Sequence, residues 1–176
     1  KDLSRRRSGA EGTTPRKESD KPEILSGVFN GKTTGSPLTI LFRNSDTRSS
    51  DYEKFRAMPR PGHADFTSGY KYRGFNDLRG SGHFSGRITV SLVAAGVIAK
   101  KILKNTSINA QLVEAGGSSN IAEAVARAAS DNDSSGGIIE CRIKGMKKGL
   151  GEPFFDSFES LVSHIIFAVP GIRGIE

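Results

Sequence analysis

Residues 79–87 read Arg-Gly-Ser-Gly-His-Phe-Ser-Gly-Arg and lead directly into the longest regular segment of the chain. In that segment, from Arg87 to Leu103, apolar residues recur at helical spacing, which predicts a well-buried helix. Backbone N–H groups at the start of a helix attract anions, and glycines allow a ligand to approach the backbone closely. The loop is therefore interpreted either as a phosphate or cofactor site or as a plain flexible loop with Ser85 as the N-cap.

The segments before this loop predict a β-hairpin followed by an irregular stretch. Glu23 to Phe29 and Pro37 to Phe42 are apolar strand candidates, and Asn30-Gly31 is a turn signal between them. Residues 44–84 carry no sustained period and are dense in glycine, arginine, histidine, aspartate and aromatic residues. So long a stretch without regular structure is uncommon in a compact domain, and it indicates either a functional loop or a missed helix.

The second half of the chain alternates strands and helices. Strands are predicted over Ile108 to Ala115, Ile138 to Ile143 and Ile172 to Glu176. Helices are predicted after the cap patterns at Asn120 and Asp156, where apolar runs extend to Ala129 and Val169. Together with the strand-rich first half, this order predicts a mixed α+β fold in a single domain over residues 1–176.

Composition excludes several classes of protein. The longest apolar run, around Val90 to Ala99, is far shorter than the ~20 residues that a membrane span needs. The chain opens without Met and without an apolar signal segment. Cys141 is the only cysteine, so no internal disulfide can form, and no Cys/His cluster is available for zinc. We therefore expect a cytoplasmic protein without a metal site, and we exclude a membrane protein, a disulfide scaffold and a zinc module.

The net charge of +7 lies entirely in the first half of the chain. Residues 1–87 contain 17 Lys and Arg against 10 Asp and Glu, whereas residues 88–176 contain 9 of each class. Arginine, which binds phosphate and carboxylate groups bidentately, supplies most of these cations. The partner is therefore anionic: a phosphorylated metabolite, a nucleotide cofactor, nucleic acid or the carboxylates of a neighbouring subunit. Nucleic acid is disfavoured, because the basic segments are not interleaved with aromatic residues and no predicted helix carries a basic stripe.

The segment Arg60-Pro61-Gly62-His63-Ala64-Asp65 contains the candidate acid–base residue. Pro61-Gly62 predicts a turn that presents His63, and Asp65 is close enough in sequence to orient its imidazole. A histidine that neighbouring anionic substrates keep protonated can act as a general acid. The alternative is a loop histidine that makes one structural hydrogen bond.

Nine motifs cover essentially the whole chain in an order and spacing that are specific. They lie at residues 5–9, 13–18, 24–29, 33–37, 48–52, 60–65, 82–96, 135–140 and 149–156. The most distinctive are Arg60-Pro61-Gly62-His63-Ala64-Asp65 and Gly82-His83-Phe84-Ser85-Gly86-Arg87. On these motifs the chain resembles the chorismate synthase family.

The resemblance implies a fold and a reaction. The family fold is a β-α-β sandwich of helices between antiparallel sheets, usually assembled as a homotetramer. The family's enzymes are lyases of the shikimate pathway of aromatic amino acid biosynthesis, and they eliminate phosphate from 5-enolpyruvylshikimate 3-phosphate to give chorismate. They need reduced FMN although there is no net redox change, and NADPH serves as a reductant only in bifunctional relatives. A substrate with a phosphate and two carboxylates accounts for the arginine-rich first half.

The resemblance also implies roles for six residues. His63 corresponds to one of the family's two catalytic histidines, which acts as a proton donor towards the reduced flavin. The FMN-contacting stretch corresponds to His83, Phe84 and Ser85. Positions that bind substrate or nucleotide phosphate correspond to Arg6 and Arg87.

Members of the family are longer than this chain, so we expect a single, incomplete chorismate synthase domain over residues 1–176. The family's N-terminal Gly-Glu-Ser-His-Gly motif, with the second histidine, and its C-terminal half are absent from these residues. We expect the fragment alone to be inactive. The alternative is a non-catalytic phosphate- or RNA-binding module, which would have no reason to keep His63 and Asp65 together with the glycine-rich loop.

Overall fold

The computed structural model describes residues 1–7, 9, 13, 18–45 and 49–176. The chain divides into two compact units, the first of Lys1–Gly9 and Pro15–Ala94 and the second of Ala10–Thr14 and Ala95–Glu176. Both units contain helix, and the described strands form small two-stranded antiparallel sheets, which confirms the predicted α+β class. That residues 1–176 make up one incomplete domain stays a prediction. The motif residues Ser8, 14–17 and Arg48 lie outside the described residues.

The predicted hairpin is confirmed in the first unit. Its strands are β1 (Pro22–Ser26), β2 (Val28–Phe29), β3 (Lys32–Thr33) and β4 (Thr39–Phe42). Strand β1 pairs antiparallel with β4, and β2 pairs antiparallel with β3 around the Asn30-Gly31 turn. The single strand predicted over residues 23–29 is thus divided in two at Gly27. The register of β1 against β4 also shifts, between Ile24 and Ser26.

The irregular stretch at residues 44–84 contains the missed helix. Helix α1 (Asp2–Arg6) lies before the hairpin and α2 (Asp65–Lys71) lies inside the stretch. Two 3₁₀ segments, Ser49–Arg56 and Arg79–Phe84, flank α2. A 3₁₀ helix repeats every three residues and occurs in short pieces, so it does not produce the helical period that a sequence search detects.

Helix α3 (Thr89–Ile102) follows one 3₁₀ turn at Gly86–Ile88 and confirms the predicted helix. Ser85 caps this turn, as the alternative of a plain loop expected, because its Oγ accepts a hydrogen bond from the backbone N–H of Arg87 at 3.3 Å. The chain therefore passes from the glycine-rich loop into α3 through a capped turn.

The prediction that α3 is well buried is wrong for the described residues. Val90 and Ala94 are buried, but Leu92 and Ile102 are 43% and 74% exposed. The helix carries apolar side chains on nearly all sides, and described residues cover only the side with Val90 and Ala94.

The second unit contains the predicted strands and helices. They are β5 (Ser107–Ala115), α4 (Ile121–Ser130), β6 (Gly137–Lys144) and α5 (Phe158–Phe167). Strands β5 and β6 pair antiparallel, and α4 packs against β5. The strand predicted over Ile172 to Glu176 is wrong, because that segment forms no ladder with any of the described residues.

At both helix N-termini the observed cap differs from the predicted one in detail. Asn120 precedes α4, but its side-chain amide donates to Glu123 Oε2 at 2.8 Å instead of accepting from the backbone. At α5 the cap is Ser157, whose Oγ accepts from the backbone N–H of Ser160 at 3.2 Å. The prediction of Asp156 is off by one residue, because Phe154–Asp156 forms a separate 3₁₀ turn.

Gly27 lies where the two halves of the hairpin meet, and we expect Gly27→Ala to destabilise the protein. Its φ is +81°, and a Cβ atom there would lie 2.7 Å from the Cα of Leu38. Backbone strain and the steric clash should together lower the free energy of unfolding by about 2–4 kcal/mol, measured by urea denaturation.

Gly35→Ala is the matched control. Gly35 has a similar φ of +83°, but a Cβ there would meet no atom within 4 Å. Its substitution should therefore cost only the backbone term, about 1 kcal/mol. Equal losses for the two variants would show that the contact with Leu38 is unimportant.

Candidate functional site

His63 lies in the turn that leads into α2. Its backbone N–H donates to the carbonyl of Arg60 at 3.3 Å, and α2 begins two residues later at Asp65. The imidazole is partly buried, and its Nδ1 lies 2.8 Å from Oδ1 of Asp65. The turn and the approach of Asp65 to His63 are therefore present as the sequence predicted.

Asp65 is a buried carboxylate that holds both neighbouring side chains. It accepts hydrogen bonds from Arg60 Nε at 2.7 Å, from Arg60 Nη2 at 2.9 Å and from the backbone N–H of Arg60 at 3.1 Å. The side-chain hydrogen bond from Arg60 holds the pKa of Asp65 well below its usual range. Because an ionised carboxylate only accepts hydrogen bonds, it favours the His63 tautomer with the proton on Nδ1.

Arg60 connects the histidine turn to the glycine-rich loop. Its Nη2 donates to Ser81 Oγ at 2.9 Å and lies 3.3 and 3.4 Å from the two ring nitrogens of His63. Its guanidinium also packs over the ring of Phe55, 4.2 Å from the centroid. Two sequence motifs, around His63 and around residues 79–87, therefore meet in one cluster. Sequence reasoning gave Arg60 and Ser81 no role, because 21 residues separate them.

The glycine-rich loop turns sharply before α3. Gly80, Ser81 and Gly82 have φ angles of 61°, 69° and 51°, in the left-handed region that most side chains avoid. A Cβ atom on Gly82 would collide with the carbonyl oxygen of Asp77. The turn therefore requires glycine at position 82, and it buries Ser81.

The end of this loop presents a cluster of aromatic rings. The rings of His83 and Phe84 each lie 6.4 Å from the ring of Tyr72. All three side chains are exposed to some degree, so they can stack against a flat, conjugated ligand. Tyr72 was missed by sequence reasoning, and its one signal was the density of aromatic residues in residues 44–84.

Arg6 and Arg87 lie together around a third residue, Asp20. Arg6 Nη1 donates to Asp20 Oδ2 at 2.9 Å and Arg87 Nη1 donates to Asp20 Oδ1 at 2.8 Å. The carboxylate is buried, at 2% exposure, whereas the two arginine side chains keep 20% and 18% of their surface exposed. The structure therefore brings the two candidate phosphate-binding residues together, on a carboxylate that sequence reasoning did not single out.

Two kinds of feature are absent from the part of the chain that the structure describes, metal-ligand clusters and membrane-spanning helices. Within it, no group of three or more His, Cys, Asp or Glu residues is arranged to hold a metal ion. Its helices are all too short or too polar to cross a bilayer.

Comparison with known proteins decides the family. The sequence model described as chorismate synthase matches residues 1–176. The chain belongs to the chorismate synthase family.

Relatives named chorismate synthase support this membership. One from Chitinophaga pinensis is 59% identical over 99% of the chain and 53% of the relative. One from Dehalococcoides mccartyi is 40% identical over 99% of the chain and 56% of the relative. One from Thermococcus kodakarensis is 40% identical over 100% of the chain and 57% of the relative. The chain thus spans about half the length of the chorismate synthases that it matches.

The contacts of Asp65 predict an acid-sensitive contribution to stability. Asp65→Asn should lower the free energy of unfolding at pH 7 by about 1.5–3 kcal/mol, because charge-assisted hydrogen bonds to Arg60 are lost. The folded pKa of Asp65 lies below its ordinary value of 3.8. The ionised Asp65 therefore contributes its full stabilisation to the folded state above pH 3.8, and this stabilisation is lost as the pH falls towards the depressed folded pKa. Urea denaturation across the acid range should show the two proteins converging at low pH.

Asp77→Asn is the control for this experiment. Asp77 also pairs with an arginine, with 2.8 Å between its Oδ2 and Arg79 Nη2, and this contact lowers its pKa to about 2. Its side chain is 56% exposed, so solvent screens the pair and the substitution should change stability much less. The prediction would be contradicted if Asp77→Asn lowered the free energy of unfolding as much as Asp65→Asn does. It would also be contradicted if Asp65→Asn remained less stable than the wild type at low pH.

Proposed function

We propose that this protein is a chorismate synthase. In this proposal it is a lyase of aromatic amino acid biosynthesis that eliminates phosphate from 5-enolpyruvylshikimate 3-phosphate and uses reduced FMN without net redox change. Family membership supports the assignment. The observation that carries it is the cluster of His63, Asp65, Arg60 and Ser81, because it joins an acid–base group to the loop that the resemblance links to the flavin.

In this proposal His63 supplies a proton during the reaction. Asp65 keeps one proton on Nδ1, so the proton that His63 donates leaves from Nε2. Arg60 holds the carboxylate of Asp65 in place through two hydrogen bonds. The carboxylate then orients the imidazole and stays ionised at neutral pH, because its pKa is depressed by Arg60.

The residues at the end of the glycine-rich loop fit one side of a flavin site. Tyr72, His83 and Phe84 form a cluster of rings with exposed surface, and a conjugated ring system stacks favourably on such groups. Reduced FMN, when bound, would supply an electron-rich centre beside the substrate. We assign the binding surface to His83, Phe84 and Ser85 and add Tyr72, which packs against the first two rings.

Arg6 and Arg87 are proposed to bind the phosphate of the substrate or of the nucleotide. Their guanidinium groups carry N–H donors suited to phosphate oxygens, and both side chains remain partly exposed beside Asp20. We further propose a cytoplasmic homotetramer that acts on a small molecule and has neither nucleic acid nor membrane as a partner, in line with the family resemblance.

Replacing His63 tests the proposed chemistry. His63→Ala in the full-length gene product should lower turnover ~10²–10⁴-fold, the usual contribution of a general acid. His164→Ala is the control, because His164 lies on α5 and no role in the reaction is assigned to it. Turnover is followed anaerobically as chorismate absorbance with reduced FMN. A near-normal rate for His63→Ala would refute the role of His63 while leaving family membership intact.

The isolated residues 1–176 should show no measurable lyase activity. The resemblance assigns a second catalytic histidine and further flavin contacts to segments that these residues do not contain, and rate enhancement by proximity depends on a complete arrangement. The same assay on this polypeptide, with the Chitinophaga pinensis relative as positive control, measures the difference. Turnover comparable to that of the relative would show that the reaction does not need the second histidine and the further flavin contacts that the proposal places outside these residues.

A further inference from the structure

Asp20 is a buried carboxylate that no step of the proposed reaction uses. Each of its oxygens accepts a hydrogen bond from a different arginine, Oδ2 from Arg6 at 2.9 Å and Oδ1 from Arg87 at 2.8 Å. Only 2% of the residue is exposed. A carboxylate in this place is too enclosed to meet a substrate, but it determines the separation of the two guanidinium groups.

The remaining contacts of the two arginines fix their orientation. Arg6 Nη2 donates to the carbonyl of Arg87 at 3.0 Å, and Arg6 Nε donates to Thr89 Oγ1 at 3.4 Å. Arg87 Nε donates to Asn44 Oδ1 at 2.8 Å, and Arg87 Nη2 lies 3.5 Å from Glu18 Oε2. Each guanidinium is therefore held at all three nitrogens by described residues, while part of each side chain stays exposed.

Two guanidinium groups that contact the same carboxylate are close enough to repel each other, and an anion between them offsets this repulsion. Asp20 supplies that anion on the protein side, so the pair is already arranged before an external anion arrives. A ligand with several oxygens, such as a phosphate group, can then accept from both arginines without first having to bring them together.

We propose that Asp20 is a positioning residue for the anionic substrate, acting through Arg6 and Arg87. This inference rests on the proposed function, which assigns the two arginines to phosphate binding. Asp20 does not touch the ligand. Its removal should therefore weaken binding of the phosphorylated substrate more than it slows the chemical step.

Asp20→Asn in the full-length gene product is the test. Asp20 has a φ of 47°, which asparagine also tolerates, so the substitution removes the charge without forcing the backbone to move. We expect KM for 5-enolpyruvylshikimate 3-phosphate to rise about tenfold, because the two guanidinium groups are no longer held in position for the phosphate, with kcat changed less than about twofold. Asp77→Asn, which removes an exposed partner of Arg79, should leave both constants unchanged.

A second readout avoids catalysis. Inorganic phosphate is titrated into each protein, and its stabilising effect is read as the shift in melting temperature. The shift should be clearly smaller for Asp20→Asn than for the wild type or Asp77→Asn. A lowered melting temperature without phosphate, together with an unchanged response to phosphate and an unchanged KM, would identify a purely structural role and overturn the proposal.

The arginine variants separate this proposal from the proposed function. If Arg6→Ala and Arg87→Ala both leave KM unchanged, the phosphate assignment fails and the inference about Asp20 fails with it. If they raise KM and Asp20→Asn does not, only the inference about Asp20 fails. If the effects on KM of Asp20→Asn and Arg87→Ala are less than additive in the double variant, the two residues act through one contact, as proposed.

A further variant covers the case in which Asp20→Asn does not fold. Asn44 is exposed and accepts from Arg87 Nε at 2.8 Å, so Asn44→Ala removes one of the contacts that orient the guanidinium without removing a buried charge. We expect KM to rise about threefold, a smaller effect because a neutral acceptor is lost. An unchanged KM in this variant would show that the orientation of Arg87 does not control binding and would overturn the proposal.

Discussion

The shared carboxylate of Asp20 is the contact on which the arrangement of the first unit depends. It holds Arg6 of α1 and Arg87 of the turn before α3, which lie 14 and 67 positions away in sequence. Two neighbouring guanidinium groups repel each other, and the repulsion is strong where water is scarce, so this convergence requires an anion between them. The start of α3 is therefore held by ion pairs as well as by packing. The same contacts hold the end of the glycine-rich loop, because the loop leads directly into this turn.

Asp65 repeats the arrangement with different partners. It holds Arg60 and His63, and Arg60 reaches on to Ser81 in the glycine-rich loop. The segment from the glycine-rich loop into α3 is thus held at two points. Asp65 holds it at Ser81 through Arg60, and Asp20 holds it at Arg87 directly. Two buried carboxylates therefore hold some of the arginines of the basic first half in defined positions. In the fold, three of the arginines that make up the positive excess, Arg6, Arg87 and Arg60, are held in this way.

Regular elements could be predicted from the sequence, whereas these clusters could not. Helices α3 to α5 and strands β5 and β6 follow from periods that apolar residues carry locally. The 3₁₀ segments and the turn at Ser81 have no such period, and a positive φ at serine leaves no trace in a hydropathy pattern. Nor can spacing reveal that Asp20 meets Arg87, because that contact exists only once distant segments are folded. Candidate residues such as His63 were identified by chemical type, and their partners emerged only from the structure.

Directional contacts explain how a site can be defined where few apolar side chains are buried. Among the described residues, the polar residues that are buried as a whole are Asp20, Asp65, Ser68 and Ser81, and all of them lie in the first unit. Each has a hydrogen-bond partner, as buried polar groups require. Apolar burial is non-directional and tolerates rearrangement, but a bidentate arginine–carboxylate pair accepts one geometry. A proton donor and a pair of anion-binding arginines need defined geometry, so a network of buried charges suits them better than a larger apolar core would.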